Sequence, residues 1–311
     1  MGNPLMRSDI ANAVSAGMDD VFWNTANKMP KQFEDVFGSV PCDSQYYYSL
    51  PFYGFGQVPK SGEATAVTYD SPGEGYKATA EPDVYKLACR VSREAYEDER
   101  YNMLKSIPKE LSKSFVNTEN IVAFTLINNG FNDSYTFADR EPLFGDATTY
   151  AHPLKGSGGL GYNRPASAGT DLDATSLMAG LIALRRTLDD RGGYWNISLL
   201  SDGVTLMVPL ELQDVAYALV KSQLDPESAM NAENWLRGIN IKVYVCDFLT
   251  DPDAWFLIAN KSNHRIKMFN RIPLESNSDR ESTTGCLVFG GYQRYIPYPE
   301  DWRGIYGNPG L

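Results

Sequence analysis

The chain has 311 residues, of which 43% are hydrophobic, 12% aromatic and 22% charged, a composition too apolar and too aromatic for a disordered polypeptide. Its 39 acidic residues outnumber 28 basic ones, and the resulting net charge of −11 argues against nucleic acid as a bound partner. No run approaches the ~20 consecutive apolar residues of a membrane span, and the first residues lack the apolar core of a signal peptide. The four cysteines, Cys42, Cys89, Cys246 and Cys286, form no Cys-x-x-Cys pair and read as reduced, with neither a zinc site nor a disulfide framework.

From Ser8 to about Met29, Ile10, Val14, Met18, Val21, Phe22 and Met29 recur on one face, so the spacing predicts a helix capped by Ser8 and ended by Pro30. Cys42 to Glu81 reads differently. Aromatic residues cluster at Tyr46, Tyr47, Tyr48, Phe52, Tyr53 and Phe55, residues 64–69 alternate, and Gly or Pro stands at each bend. That is an extended, twisted hairpin, too poor in aliphatic residues to bury a core of its own. The acidic segment Glu94 to Glu99 follows, and then a long helix from about Pro108 to Asn129, with Leu111, Phe115, Val122 and Leu126 as its buried stripe. Residues 156–170 form a loop. A helix is expected over Ser176–Asp189, ended by Gly192-Gly193, strands over Ile197–Leu200 and Thr205–Val208, and a third helix over Leu210–Ser222. Further strands are expected over Ile239–Val245, Trp255–Ala259 and Arg265–Phe269.

Catalytic chemistry finds little support. Gly156-Ser-Gly-Gly-Leu-Gly161 fits the dinucleotide-binding pattern, but no buried strand precedes it and no helix follows, so it reads as a surface loop. The only histidines, His152 and His264, sit in turn-like contexts and read as hydrogen-bonding residues rather than as members of a triad. Glu94, Glu97, Asp98 and Glu99, interleaved with Arg93 and Arg100, read as a solvated face or as inter-subunit ion pairs rather than as a metal site. Asp251-Pro-Asp253 is a turn. The aromatic hairpin and the amphipathic first helix are left without a way to bury their apolar surface, which points to a subunit completed by its neighbours.

Leu143-Phe144 with Ala151-His-Pro153, the helix running into Asp190-Arg-Gly-Gly, and above all Leu206-Met-Val-Pro-Leu-Glu-Leu-Gln-Asp-Val-Ala-Tyr-Ala-Leu-Val-Lys-Ser222, Trp235-Leu-Arg-Gly-Ile-Asn-Ile-Lys-Val and Leu249 to Ala259, in that order, resemble the major capsid proteins of tailed bacteriophages. The resemblance is to the HK-ninety-seven-type fold, and within it to the branch of the phage Mu major head subunit. It implies an α+β fold divided into an N-arm (1–42), an extended E-loop hairpin (43–82), a peripheral domain (83–171) with a spine helix over 108–129, an axial domain (172–262), and a tail (263–311) returning to the peripheral domain. It further implies a structural, non-enzymatic subunit without cofactor or metal. Such a subunit assembles with itself as pentamers and hexamers into a shell that encloses double-stranded DNA without binding it specifically. Its other partners would be a separate scaffolding protein, a portal and, in some phages, a decoration protein; an encapsulin-type compartment shell is the alternative. The residues expected at inter-subunit contacts are Phe22, Trp23, Phe52, Tyr53, Phe55, Glu97 and Arg100.

Overall fold

The computed structural model describes residues 7–92, 94–95, 103–166, 169–195, 197–198, 202–223, 233–281 and 283–311. Helix α1 spans Arg7–Ala26 and the short α2 Phe33–Val36; strands β1 Gly38–Pro41, β2 Tyr47–Ser49, β3 Phe52–Tyr53, β4 Gly73–Glu74, β5 Ala78–Ala80 and β6 Asp83–Val91 follow. The long helix α3, Met103–Asn128, leads to the hairpin β7 His152–Pro153 and β8 Leu160–Gly161 and to helix α4, Ala174–Arg185. Then come β9 Val204–Val208, α5 Gln213–Lys221, β10 Ile241–Val245, β11 Trp255–Ala259, β12 Ile266–Arg280, β13 Leu287–Pro299 and β14 Ile305–Asn308.

Two four-stranded sheets carry the molecule. The first runs β1-β12-β13-β6, with β1 parallel to β12 and the other pairs antiparallel. The second runs β10-β9-β11-β14, with β10 parallel to β9 and β11 antiparallel to both its neighbours. Helix α3 lies between them: Phe124 and Ile127 join Phe144, Phe256, Met268 and Tyr295 in one buried cluster. On the second sheet, Leu177, Leu181 and Leu184 of α4 and Leu219 and Val220 of α5 close over Leu206, Trp255 and Leu257. The stretch Trp255–Ala259 is buried at every residue, as expected of a central strand covered on both faces. The tail is divided, since Ile266–Pro299 builds the first sheet while Ile305–Asn308 adds the edge strand of the second.

Several expectations shift. Helix α3 begins about one turn before Pro108, because proline's fixed φ suits a helix and removes a single hydrogen bond near its start. Helix α4 starts at Ala174 and stops at Arg185. Asp173 accepts from the Ser176 amide at 2.5 Å while the Ser176 hydroxyl accepts from the Asp173 amide at 3.0 Å, and beyond Arg186 the chain turns into a tight loop bridged by Leu188 and Tyr194. Residues 64–69 form no strand, since nothing pairs with them, and Ile197 and Ser198 lie outside any strand. The strand expected to end at Phe269 runs on to Arg280, and β6, β13 and β14 were not expected at all.

Helix α1 is not left bare. Met18 and Phe22 are buried with Leu111 and Phe115 of α3 and Phe289 of β13, and the Phe22 ring meets those of Phe115 and Phe289 edge to face. The inter-subunit contact expected of Phe22 is corrected accordingly: its apolar surface is already spent inside its own chain. Trp23, one position on, stays partly exposed.

Candidate assembly surface

The hairpin expected over residues 43–82 is built in two short ladders. Tyr47, Tyr48 and Ser49 of β2 pair with Ala80, Thr79 and Ala78 of β5, and Phe52 and Tyr53 of β3 pair with Glu74 and Gly73 of β4. Its base is anchored. Ala78 and Ala80 are buried, the Tyr47 ring stacks on Phe269 with centroids 3.8 Å apart, and the Tyr47 hydroxyl donates to Glu300 Oε1 at 2.5 Å. Glu300 in turn pairs with Lys267 at 2.6 Å. Burial first, and the neighbouring Glu300 carboxylate second, push the Tyr47 phenol up to about 12, so it remains a donor at any working pH.

Past that base most of the large apolar side chains have no cover. Phe52 is 69% exposed and Phe55 66%, and Val58, Val67 and Tyr69 are also open to solvent. An isolated apolar side chain on a surface is ordinary; five large ones on a single arm are a patch with no cover of its own. Tyr53 differs from its neighbours, because its ring lies across Gly73 on the opposite strand and beneath the guanidinium of Arg191, 5.0 Å away. Of the three hairpin aromatic residues expected at the contact, Phe52 and Phe55 face outward and Tyr53 faces its own chain. Glu97 and Arg100 lie outside the described residues. Sequence reasoning missed Arg191, whose partners on the hairpin lie more than a hundred residues upstream.

The residues weighed for chemistry have structural partners. His152 is buried, with Nδ1 2.6 Å from Asp139 Oδ2 and its ring stacked on Trp302 at 4.4 Å and an interplanar angle of 4°. His264 is buried too: its Nδ1 accepts from the Ile266 amide at 3.2 Å, and burial above all holds the ring neutral, down to about 4. The Gly156–Gly161 segment supplies the turn of the β7–β8 hairpin and strand β8 itself, the turn being closed by the Leu154 amide donating to the Gly159 carbonyl and the Gly158 amide to the Leu154 carbonyl. Asp251 accepts from the Asp253 amide at 3.1 Å, the side-chain-closed turn expected there. The four cysteines are free. Among the described residues no group of three or more His, Cys, Asp or Glu side chains is placed to hold a metal ion, and no helix is long and apolar enough to cross a membrane.

The described residues thus form a two-sheet α+β body with a long helix packed between the sheets and one aromatic arm. Residues 76–308 match the family described as phage capsid protein, and the chain belongs to that family. It is thus a structural component of a virion capsid. Among solved structures it is similar to the capsid of a native GTA particle (13% identity, TM-score 0.55, covering 90% of this chain and 89% of that one). It is also similar to a virus-like particle from Pyrococcus furiosus (9% identity, TM-score 0.53, 94% and 97%) and to Mycobacterium phage Adephagia (9% identity, TM-score 0.53, 90% of each). These overlaps extend over nearly the whole of both chains and show a shared α+β capsid fold, consistent with the HK-ninety-seven type. No curated protein matches the chain.

Proposed function

We propose that the chain is the major head subunit of a tailed phage, assembling with itself as pentamers and hexamers into an icosahedral shell around packaged double-stranded DNA. The observation that carries this reading is the arm: within a chain whose family is that of phage capsids, Phe52, Phe55, Val58, Val67 and Tyr69 are exposed together on a hairpin whose base is firmly seated. A neighbouring subunit would cover them. In the terms of the fold, residues 1–42 act as the N-arm, 43–82 as the E-loop, 83–171 as the peripheral domain around α3, and 172–262 as the axial domain, to which β14 contributes a strand from the tail. Trp23, Glu97 and Arg100 are further candidates for the contact. The net charge of −11 favours confinement of DNA over adhesion to it, and scaffolding, portal and decoration functions fall to other chains. The subunit has no catalytic residues in this reading. Kinship with the Mu branch rests on the residue pattern from Leu206 to Ser222.

The test replaces Phe52 and Phe55 by Ser. Negative-stain images of the wild-type chain should show closed particles, and the variant should be a folded subunit that forms none; normal particles from the variant would remove the hairpin from the contact. The overlap with the Pyrococcus furiosus particle along nearly the whole of both chains favours one second reading, a compartment shell around protein cargo. The contents of particles purified from their natural source, DNA or protein, distinguish the two.

A further inference from the structure

The hairpin leaves its seat between two neighbouring turns, and each turn grips it with one cation. On the turn after α4, the Asp189 amide donates to the Gly193 carbonyl at 2.7 Å, and Asp189 Oδ1 accepts from the amides of Arg191 and Gly193. Asp190 is held from behind by Arg303 Nη2 at 2.9 Å. The turn is therefore well fixed, and it projects Arg191 at the arm. Arg191 Nε donates to the Gly54 carbonyl at 3.0 Å, and Nη2 donates to the Ser71 carbonyl at 2.6 Å and to Asp70 Oδ1 at 3.1 Å. The same guanidinium lies over the Tyr53 ring. Asp70 completes the junction by accepting from the Gly56 amide at 2.9 Å, so one fork touches both limbs of the hairpin. From the β7–β8 turn, Lys155 Nζ donates to the Gly75 carbonyl at 2.8 Å and lies over the Tyr76 ring at 5.2 Å.

The glycine-rich segment acquires a purpose here. A Cβ on Gly156 would stand 2.7 Å from the Asp190 carbonyl oxygen and 3.1 Å from Arg191 Cδ, so only glycine lets the two turns nest closely enough for both cations to reach the arm. Beneath the arm, in contrast, packing is incomplete: a cleft of about 250 Å³ remains among Phe52, Tyr53, Asp189, Arg191, Tyr194 and Trp195. At this point the hairpin is held by directional polar contacts and not by a filled apolar interface. Such contacts fix an angle, and water or another subunit can replace them readily.

We propose that Arg191 is a latch that holds the hairpin at one angle on its own subunit before assembly, with the Gly156 turn as its support. This rests on reading the hairpin as the assembly contact, but its test does not depend on assembly. Amide hydrogen exchange is measured on the monomeric subunit, either the wild type, if it does not assemble, or the Phe52→Ser/Phe55→Ser chain, if the wild type forms shells. In that background Arg191→Gln should raise exchange of Gly56 and Ser71 roughly fivefold to tenfold, leaving β9, β11 and the thermal midpoint unchanged. Arg191→Lys, which keeps the charge but loses the fork, should fall between the two. Gly156→Ala, with Arg191 intact, should also loosen the arm. Exchange at Gly56 and Ser71 unaltered by Arg191→Gln would overturn the latch, and so would a rise matched across the whole chain, which would mean general loosening. Failure of the wild type to assemble would count against the proposed function alone.

Discussion

Trp255–Ala259 and Phe52–Phe55 are both short aromatic-containing stretches, and they meet opposite fates. Every side chain of the first is buried by strands and helices of the same chain, whereas two of the three aromatic rings in the second face solvent. The difference lies in their surroundings rather than in their composition. Strand β11 has a paired strand on each side and helices over both faces, while β3 has a single two-residue partner and only the Arg191 guanidinium over Tyr53. Apolar residues in the body stabilise the fold, and the same kinds of residue on the arm have stabilising energy left to give to another molecule.

The sharpest way to probe that contrast is to truncate one residue in each region and compare. Trp255 is fully buried, so Trp255→Ala should cost about 3–5 kcal/mol, a large part of a domain's stability, seen as a steep fall in denaturation midpoint or loss of soluble subunit. A loss below about 1 kcal/mol would show that the second sheet is not the body's core. Acid probes the body next, through His264. Its neutral ring is favoured in the folded chain and its protonated ring in the unfolded one, so stability is full above about pH 6.5 and declines as pH falls toward about 4. The span corresponds to a loss on the order of 2–3 kcal/mol, and thermal melts of wild type and His264→Asn across that range should diverge in slope.

Asp146 gives a smaller effect. Burial opposes its charge, but the amides of Thr148, Thr149 and Tyr150 and the Thr148 hydroxyl outweigh burial and hold the carboxyl well below the usual carboxylate range; Arg164 adds an ion pair at 2.6 Å. Asp146→Ala should cost about 1–3 kcal/mol at neutral pH. Because the folded group keeps its charge far into acid, the gap to wild type should persist down to about pH 4 and close only below it. The smallest effect on stability is expected on the arm, where Phe52→Ser with Phe55→Ser should move the unfolding free energy by less than about 1 kcal/mol. Calorimetry of this chain beside Trp255→Ala measures the comparison directly, and a large destabilisation would mean that the arm belongs to the body after all.

How much of this was legible follows from the same contrast. The stripe of α3 and the apolar runs of β9, β10 and β11 announce themselves because burial there is decided by neighbours in sequence and by dense apolar composition. The long strands β12 and β13 do not. The outer half of β12, Ile272-Pro-Leu-Glu-Ser-Asn-Ser-Asp-Arg280, is half exposed and mostly polar, and β13 contains Gly290, Gly291, Pro297 and Pro299, all of which read as breakers. At Gly291 the reason is distant in sequence: the Phe115 ring of α3 occupies the place where a Cβ would be, only 2.5 Å from it. The surplus of aromatics on the arm could be seen from composition, but the inward turn of Tyr53 could not, since it depends on Arg191. Phe22 misled for a similar reason, as its partners Phe115 and Phe289 lie far along the chain.

The position of β14 bears on how the chain is made. Trp255 and Phe256 pair with Asn308 and Gly307, so β11 waits for its outer neighbour until about fifty further residues have been synthesised. At roughly 5–20 residues per second that is an interval of several seconds, during which one long edge of an entirely apolar strand stands open on the nascent chain. The intervening stretch is itself β12 and β13, a ribbon of thirteen- and fifteen-residue strands that can zip together locally while β11 waits. Strand order thus bears on synthesis: the β12–β13 ribbon is able to close before Ile305–Asn308 is made, and a chain stalled before Ile305 carries an uncapped β11 edge open to other strands.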